Sequence, residues 1–295
     1  MPTKAEKDAL SADVAEDRAT TGHEWDGIRE YDTPLPKWWL WIFYATIAFS
    51  LVYFVLFPSW PGITGYFGGV LDRQERRVFD ARMVRAAEAQ AGIRERIAAA
   101  SLPEIEADQD MRGFAIAGGR TIFADNCATC HGQGGGGQRG GYPVLADDDW
   151  LWGGTLGDIE HTIRVGVRHE GLETRYSVMP NFGADGLLTP AQVSDVAHFV
   201  RSLSGGEHDA AAAERGVTIF SDNCAACHAE GGKGDALQGA PRLNDQVWLY
   251  GDTHTAIVAQ VWQPQQGVMP AWDERFDEAT IKMLTVYVHS LGGGQ

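Results

Sequence analysis

The sequence predicts a mainly α-helical chain, with one N-terminal transmembrane helix followed by two tandem copies of a small domain. A twenty-residue apolar run without a charge predicts the membrane helix, and a segment that recurs at a fixed offset predicts the two copies. Thirty-six glycines among 295 residues exceed the usual ~7% and predict loop-rich domains. The apolar fraction of 44% excludes wholesale disorder, and the net charge of −16 makes nucleic acid a poor partner.

The transmembrane helix is predicted over residues 38–58. Its core, residues 38–57, carries no charge and, at about 1.5 Å per residue, is long enough to cross a ~30 Å hydrocarbon layer. Trp38 and Trp60 lie where interfacial aromatic rings are expected. Residues 1–37 form an acidic tail, too long for a signal peptide, and no small-residue cleavage site follows the apolar run, so we expect a retained anchor. Three basic residues within about 20 positions on each side leave the orientation open.

A spacer is predicted over residues 59–110. From Val70 to about Ala100 it is charged, rich in alanine and free of proline, which favours a helix. Beyond Pro103 the sequence enters an acidic loop and then the repeat.

Two tandem domains are predicted over residues 111–205 and 206–295, because one pattern occurs twice. Each copy has an eleven-residue segment ending in Cys-x-x-Cys-His, a later Val-Met-Pro, and a closing amphipathic helix. The segments are 121–131 and 218–228, the Val-Met-Pro triplets are 178–180 and 268–270, and the helices are 191–203 and 279–291.

The Cys-x-x-Cys-His motif is the attachment signature of a c-type haem. Two thiols one helical turn apart can bond to the two vinyl groups on one porphyrin edge, and the adjacent histidine then faces the iron. The thiols are Cys127, Cys130, Cys224 and Cys227, and the histidines are His131 and His228. A zinc finger, a thioredoxin-like pair and a structural disulfide explain the repeated Cys-x-x-Cys-His less well. We therefore predict two class I cytochrome c domains, each with one covalent haem c.

The distal iron ligands are predicted to be Met179 and Met269, the methionines that occupy matching places in the repeat. Each precedes a proline, which stiffens the loop that would direct its thioether at the iron. Met283 lies on the last helix and is expected to fill the core. His/Met ligation occupies both axial positions and suits electron transfer. Two pairings remain open at this point: each methionine serves the haem of its own copy, or each reaches the haem of the other.

Several other side chains near the motifs have more than one interpretation. Five histidines between or after the motifs are expected to be surface or hydrogen-bonding residues rather than iron ligands, namely His161, His169, His198, His254 and His289. Four aromatic residues either line the haem pockets or pack in the core, namely Trp150, Trp152, Trp248 and Tyr250. The acidic run 147–149 is expected to be a solvated loop.

The whole chain resembles the dihaem c-type cytochrome subunit III of cbb3-type cytochrome c oxidases, in the haem-copper oxidase family. The resemblance rests on GHEWDGIREYDTPLPKWW at residues 22–39, together with the anchor and the two haem motifs. It implies an electron-transfer subunit without a catalytic centre of its own, which takes electrons from donor c-type cytochromes. A membrane-tethered dihaem cytochrome of another respiratory complex, and a dihaem peroxidase with an open distal position, are the alternatives.

The resemblance also implies partners and a location. The partners would be a catalytic haem b/copper subunit, which reduces oxygen and pumps protons, and a monohaem cytochrome c subunit. The chain would cross the bacterial inner membrane once, with a cytoplasmic N-terminus and periplasmic haem domains. The part beyond the anchor carries a net charge of −12, which either steers basic donor cytochromes or only favours solubility.

Overall fold

A computed structural model describes residues 19–58, 60–71, 75–138 and 140–293. The chain divides into two compact units, Met1–Ala87 and Glu88–Gln295. The predicted tail falls partly outside the described residues, because residues 1–18 are not among them.

The first unit contains a β-hairpin and the predicted apolar helix. Strands β1 (Thr20–Trp25) and β2 (Ile28–Tyr31) pair antiparallel across a turn that contains Gly27, whose φ is +86°. Helix α1 (Lys37–Leu56) begins directly after Pro36, and its side chains remain unburied in the protein. It is long and apolar enough to cross a membrane, with a mean hydropathy of 1.9, which confirms the helix that the sequence predicts.

Two helices connect the apolar helix to the repeat. Helix α2 (Glu75–Ala99) confirms the predicted spacer helix. The acidic loop predicted beyond Pro103 is wrong, because α3 (Leu102–Ala107) occupies that stretch and only Asp108 separates it from the next helix. Ser101 and Glu104 form a capping box at the start of α3, which satisfies backbone N–H groups there.

Each copy of the repeat supplies four helices to the second unit. The helices predicted to close the copies, 191–203 and 279–291, are present as Pro190–Leu203 and Glu278–His289. The first copy forms α4 (Gln109–Asn126), α5 (Ala128–His131), α6 (Leu156–Val165) and α7 (Pro190–Leu203). The second copy forms α8 (Ala210–Asn223), α9 (Ala225–His228), α10 (His254–Trp262) and α11 (Glu278–His289).

The closing helices are exchanged between the two copies. Helix α11 packs on α4 and α6 of the first copy, whereas α7 packs on α8 and α10 of the second copy. We call α4, α5, α6 and α11 the first lobe, and α8, α9, α10 and α7 the second lobe.

A glycine stands at each helix crossing. A Cβ on Gly119 of α4 would overlap the carbonyl oxygen of Met283 on α11. Gly216 of α8 occupies the same position against the carbonyl oxygen of Asp195 on α7. The helices therefore touch backbone to backbone, which only glycine permits.

Each lobe has its own apolar core. Phe123 of α4 packs with Ile159 of α6 and with Leu284 and Tyr287 of α11 in the first lobe. A third cluster joins the end of α2 and α3 to the other side of α11, and Met283 lies within it at 2% exposure, which confirms its predicted role as core filling. In the second lobe the buried residues come from both copies, and the largest of them are Phe182, Leu188, Phe220 and Ile257.

Polar bonds attach the end of α2 to α11. Arg94 donates to both carboxylate oxygens of Asp277, at 2.8 and 2.9 Å. The Lys282 ammonium donates to the carbonyl oxygens of Ala98 and Ala100, each at 2.8 Å, and so caps the C-terminus of α2. The last part of the spacer is thus a structural component of the second unit.

Candidate functional site

The first Cys-x-x-Cys-His motif lies where α4 ends and the single turn of α5 follows. Cys127 is the C-cap of α4, and its carbonyl oxygen accepts from the N–H groups of Cys130 and His131. The His131 Nδ1 lies 3.3 Å from the carbonyl oxygen of Pro143. A carbonyl oxygen only accepts, so Nδ1 must donate, which leaves the Nε2 lone pair free to bind a metal.

The second motif repeats this geometry in the second lobe. Cys224 caps α8 and accepts from Cys227 and His228, and the His228 Nδ1 lies 3.0 Å from the carbonyl oxygen of Pro241. Ala229, which matches Gly132 of the first motif, has a φ of +58°.

Burial controls the ionisation of both motifs. It lowers the pKa values of His131 and His228 despite the opposing bonds to Pro143 and Pro241, and this favours the neutral imidazole that a metal requires. Burial, reinforced by the neighbouring thiol, also raises the pKa values of Cys127 and Cys224 to about 11. No cluster of three or more His, Cys, Asp or Glu that could hold a metal ion occurs among the described residues.

The two predicted methionines lie in opposite lobes from the motifs of their own copies. Met269, from the second copy, packs on the first-lobe core together with Cys127. Met179, from the first copy, packs on the second-lobe core together with Cys224. Each lobe therefore brings together a motif from one copy and a methionine from the other.

Polar bonds link the segments that carry the two methionines. Val167 and Met269 exchange two backbone hydrogen bonds, at 2.9 and 3.0 Å. The Gln266 side chain accepts from the Met179 N–H at 2.9 Å and donates to the Met179 carbonyl oxygen at 3.2 Å.

Two of the repeated aromatic residues also contact a loop of the other copy. A Cβ on Gly239 would overlap the ring of Trp152, and a Cβ on Gly141 would overlap the ring of Tyr250. Both glycines lie in the loops that follow the motifs. Trp150 packs on the first-lobe core and Trp248 on the second, in the same clusters as the motif cysteines, and this position fits core packing and haem-pocket lining equally well.

Three of the remaining histidines have hydrogen-bonding partners other than a motif. His254 bonds to Ser194 and stacks on His198, with ring centroids 4.0 Å apart. The His198 Nδ1 accepts from the N–H of Asp209 at 3.2 Å. His289 bonds to Glu106 at 3.1 Å. These contacts confirm a hydrogen-bonding role for them.

Sequence reasoning missed the residues that hold the methionine segments, including Val167, Gln266 and Arg168. One signal was available: His131 precedes Met179 by 48 residues, whereas His228 precedes Met269 by only 41. The additional residues lie between α6 and Met179, where Val167 and Arg168 stand.

Family models match the chain in three consecutive stretches. The N-terminal domain of the cbb3-type oxidase protein FixP matches residues 17–64, cytochrome c matches 116–204, and cbb3-type cytochrome c oxidase subunit III matches 211–288. The cbb3-type subunit CcoP of Azospirillum brasilense is 48% identical over 98% of this chain and 99% of its own length. The chain belongs to the CcoP/FixP family.

Other members of the family are similarly close. CcoP of Cereibacter sphaeroides is 47% identical over 94% of this chain and 95% of its own, and FixP of Bradyrhizobium diazoefficiens is 45% identical over the full length of both. The predicted resemblance and the fold of two cytochrome c domains are thereby confirmed. So is the role of a CcoP/FixP protein as an electron-transfer cytochrome c subunit of an oxidase complex. Its cytochrome c domains imply covalently bound haem c, and its apolar helix indicates a membrane-anchored protein.

Proposed function

We propose that the chain carries two haem c groups and passes electrons from donor c-type cytochromes to a catalytic haem b/copper subunit. One observation supports this proposal: in each lobe, a Cys-x-x-Cys-His motif whose histidine Nε2 is free packs in the same apolar cluster as one methionine. Bound haem would supply a reversible one-electron centre, and ligation on both faces favours electron transfer over oxygen binding. The thioether bonds would be formed by Cys127, Cys130, Cys224 and Cys227, and the axial ligands would be His131, His228, Met179 and Met269.

The ligation is proposed to be crossed between the copies. Met269 would serve the haem attached at Cys127 and Cys130, and Met179 would serve the haem attached at Cys224 and Cys227. The shared cores support this pairing, since each methionine packs with the motif cysteine of the other copy. The protein would hold each imidazole through its carbonyl partner and exclude water with the apolar residues around the methionine.

Haem content is tested on the purified full-length chain, with a haem-stained gel and a redox titration. We expect two covalent haems that titrate as low-spin His/Met centres. One haem or none would contradict the proposal. Tight carbon monoxide binding to a reduced c haem would indicate an open distal position and favour the peroxidase alternative.

The crossed pairing is tested in chains that keep a single haem. In a chain with Cys127→Ala and Cys130→Ala, Met179→Ala should abolish the iron–thioether absorption band, whereas Met269→Ala should preserve it. The reverse outcome is expected in a chain with Cys224→Ala and Cys227→Ala, which serves as the matched control. Ligation within each copy would give the opposite pattern in both chains.

The proposed topology has a cytoplasmic tail at 1–37, a transmembrane helix at 38–58, and periplasmic spacer and domains at 59–110, 111–205 and 206–295. It is supported by covalent haem attachment, which takes place on the periplasmic side. Reporter enzymes that are active only in the periplasm, fused at the two ends of the chain, test it: the C-terminal fusion should be active and the N-terminal fusion inactive. Co-purification with a copper-containing haem b subunit and a monohaem cytochrome c tests the partners, and their absence would favour another respiratory complex.

A further inference from the structure

One arginine lies between the two segments that carry the methionines. The Arg168 Nε donates to the carbonyl oxygen of Gly267 at 2.7 Å, and its Nη1 donates to the carbonyl oxygen of Ser177 at 3.1 Å. Gly267 and Ser177 each stand two residues before a methionine, Met269 and Met179 respectively. A single guanidinium is therefore bonded to both segments at equivalent positions.

The backbone of Arg168 is held in a conformation that favours glycine. Its φ is +52°, and it is one of only three non-glycine residues with positive φ in the described part of the chain. Its N–H donates to the carbonyl oxygen of Arg175 at 2.9 Å, and the preceding Val167 is the residue bonded to Met269. A side chain kept at a sterically disfavoured position indicates a requirement for that side chain.

The Arg168 guanidinium is a half-buried cation whose bonded acceptors are carbonyl oxygens. No ion pair joins it to a carboxylate within the described ranges, whereas Arg164 pairs with Glu160 and Arg175 pairs with Asp158. Burial lowers the pKa of Arg168, an effect that Tyr250 partly opposes, but a guanidinium remains charged at neutral pH. The planar guanidinium has N–H donors in fixed, diverging directions and can bond to two separate carbonyl oxygens at once, a geometry that a lysine ammonium group does not provide.

We propose that Arg168 is a positioning residue shared by both haem centres, which holds the two methionine segments in place and couples the ligation of the two irons. This inference rests on the proposed function, because it takes Met179 and Met269 as the distal ligands. Loss of the guanidinium would loosen both methionines together, and loss of its charge would lower both reduction potentials, since a nearby cation favours the reduced iron.

The test uses three variants of the full-length chain with both haems attached. Arg168→Gly removes the side chain and tolerates the positive φ, so the backbone is preserved. Arg168→Lys keeps the positive charge and loses the planar guanidinium that bonds to both carbonyl oxygens. Arg215→Gln is the control, because it removes one positive charge from a guanidinium that bonds to Asp195 and to the backbone of α8.

Imidazole, which competes with methionine for ferric haem, is the probe. We expect Arg168→Gly to bind imidazole roughly tenfold more tightly at both irons, as loss of hydrogen bonds from a charged donor predicts. Imidazole should displace the methionine from both haems over this lower concentration range, so that the whole iron–thioether band disappears there. The reduction potentials of both haems should fall. Arg168→Lys should bind imidazole more tightly with little change in potential, and Arg215→Gln should match the unsubstituted protein. If Arg168→Gly fails to accumulate with two haems, Arg168→Lys is scored by the same imidazole titration.

Three outcomes separate this inference from the proposed function. If only half of the iron–thioether band disappears at the lower imidazole concentrations, Arg168 serves one haem only. If the titration of Arg168→Gly is the same as that of the unsubstituted protein, Arg168 serves neither haem. Either result overturns the inference. Absence of the iron–thioether band from the unsubstituted protein would overturn the proposed ligation itself, and the inference with it.

Discussion

Single residues decide how closely the two copies of the repeat approach each other. Gly119 and Gly216 stand at equivalent places in the repeat, and each faces a backbone carbonyl oxygen contributed by the other copy. A carbonyl oxygen in a helix cannot move aside as the end of a flexible side chain can. The crossings are thus the least tolerant points of the second unit.

Gly119→Ala is expected to destabilise the second unit by about 1–3 kcal/mol, the usual cost of overpacking. The unfolding midpoint should fall by roughly 2–4 °C for each kcal/mol. Gly113→Ala is the matched control, because Gly113 is on the same helix with nothing within 4 Å of an added Cβ. Alanine is the better helix former there, so the control should leave the midpoint unchanged or raise it slightly. Equal effects of the two substitutions would show that the crossing does not constrain the fold.

The eight residues proposed to hold the haems could be predicted because the repeat marks them twice. Cysteine spacing and the adjacent histidine follow from porphyrin chemistry, and Met179 and Met269 are the methionines at matching positions. Their pairing could not be predicted, because one motif and one methionine in each copy allow ligation within a copy and between copies equally well. The repeat does not mark Arg168, since it lies between α6 and Met179 in a connection that is longer in the first copy than in the second, and this difference in length was the only sign of it in the sequence.

At the scale of elements, local sequence signals located the helices, and tertiary contacts decided their partners. The closing helices were predictable from apolar periodicity and their capping residues, Thr189 and Asp277. Which helix α11 packs against depends on contacts between residues more than 150 positions apart, because it pairs with α4. No local signal carries that information.

Asp277 makes the start of α11 sensitive to acid. Partial burial of its carboxyl group opposes ionisation, but hydrogen bonds from Thr280 and Arg94 outweigh burial and hold the pKa of Asp277 below its usual 3.8. The charged form is favoured in the folded state, so its stabilisation is present above about pH 4 and is lost as the pH falls through the lowered pKa.

We expect Asp277→Asn to remove this acid sensitivity. Asparagine still caps the helix but cannot ionise, so the variant should be less stable than the unsubstituted protein near neutral pH. The difference in melting temperature should shrink as the pH falls from about 5 to about 2. Melting curves of both proteins across that range provide the measurement, and parallel curves would contradict the assignment.

At the scale of the whole molecule, the exchange of helices joins two sequence domains into one folding unit. The helix that carries each motif packs on the closing helix of the other copy, as α4 does on α11 and α8 does on α7. The methionine segments are also hydrogen-bonded across the copies. A perturbation in one lobe should therefore be felt in the other.

Gly216→Ala, located in the second lobe, is expected to lower the unfolding midpoint of both lobes together. The two single-haem chains described above separate the lobes, because each reports unfolding at one haem. Cooperative unfolding predicts the same decrease in both chains. A decrease confined to the chain with its haem at Cys224 and Cys227 would show that the lobes unfold independently.

Net charge belongs to the same scale. The part of the chain beyond the anchor carries a net charge of −12, and we expect this negative charge to accelerate the encounter with basic donor cytochromes. The rate of electron transfer from such a donor should fall as ionic strength rises, because screening shortens the reach of the field. A rate that is insensitive to salt would leave solubility as the role of the acidic surface.

The exchanged closing helices also impose an order on biosynthesis. Helix α11 follows all the other helices among the described residues, yet the first Cys-x-x-Cys-His motif depends on it to close its lobe. The second lobe has all of its helices once α10 and the Met179 segment exist, so it can close earlier, while α11 is still emerging. The motif that is synthesised first is therefore enclosed last, and Cys127 and Cys130 remain accessible until α11 has been synthesised.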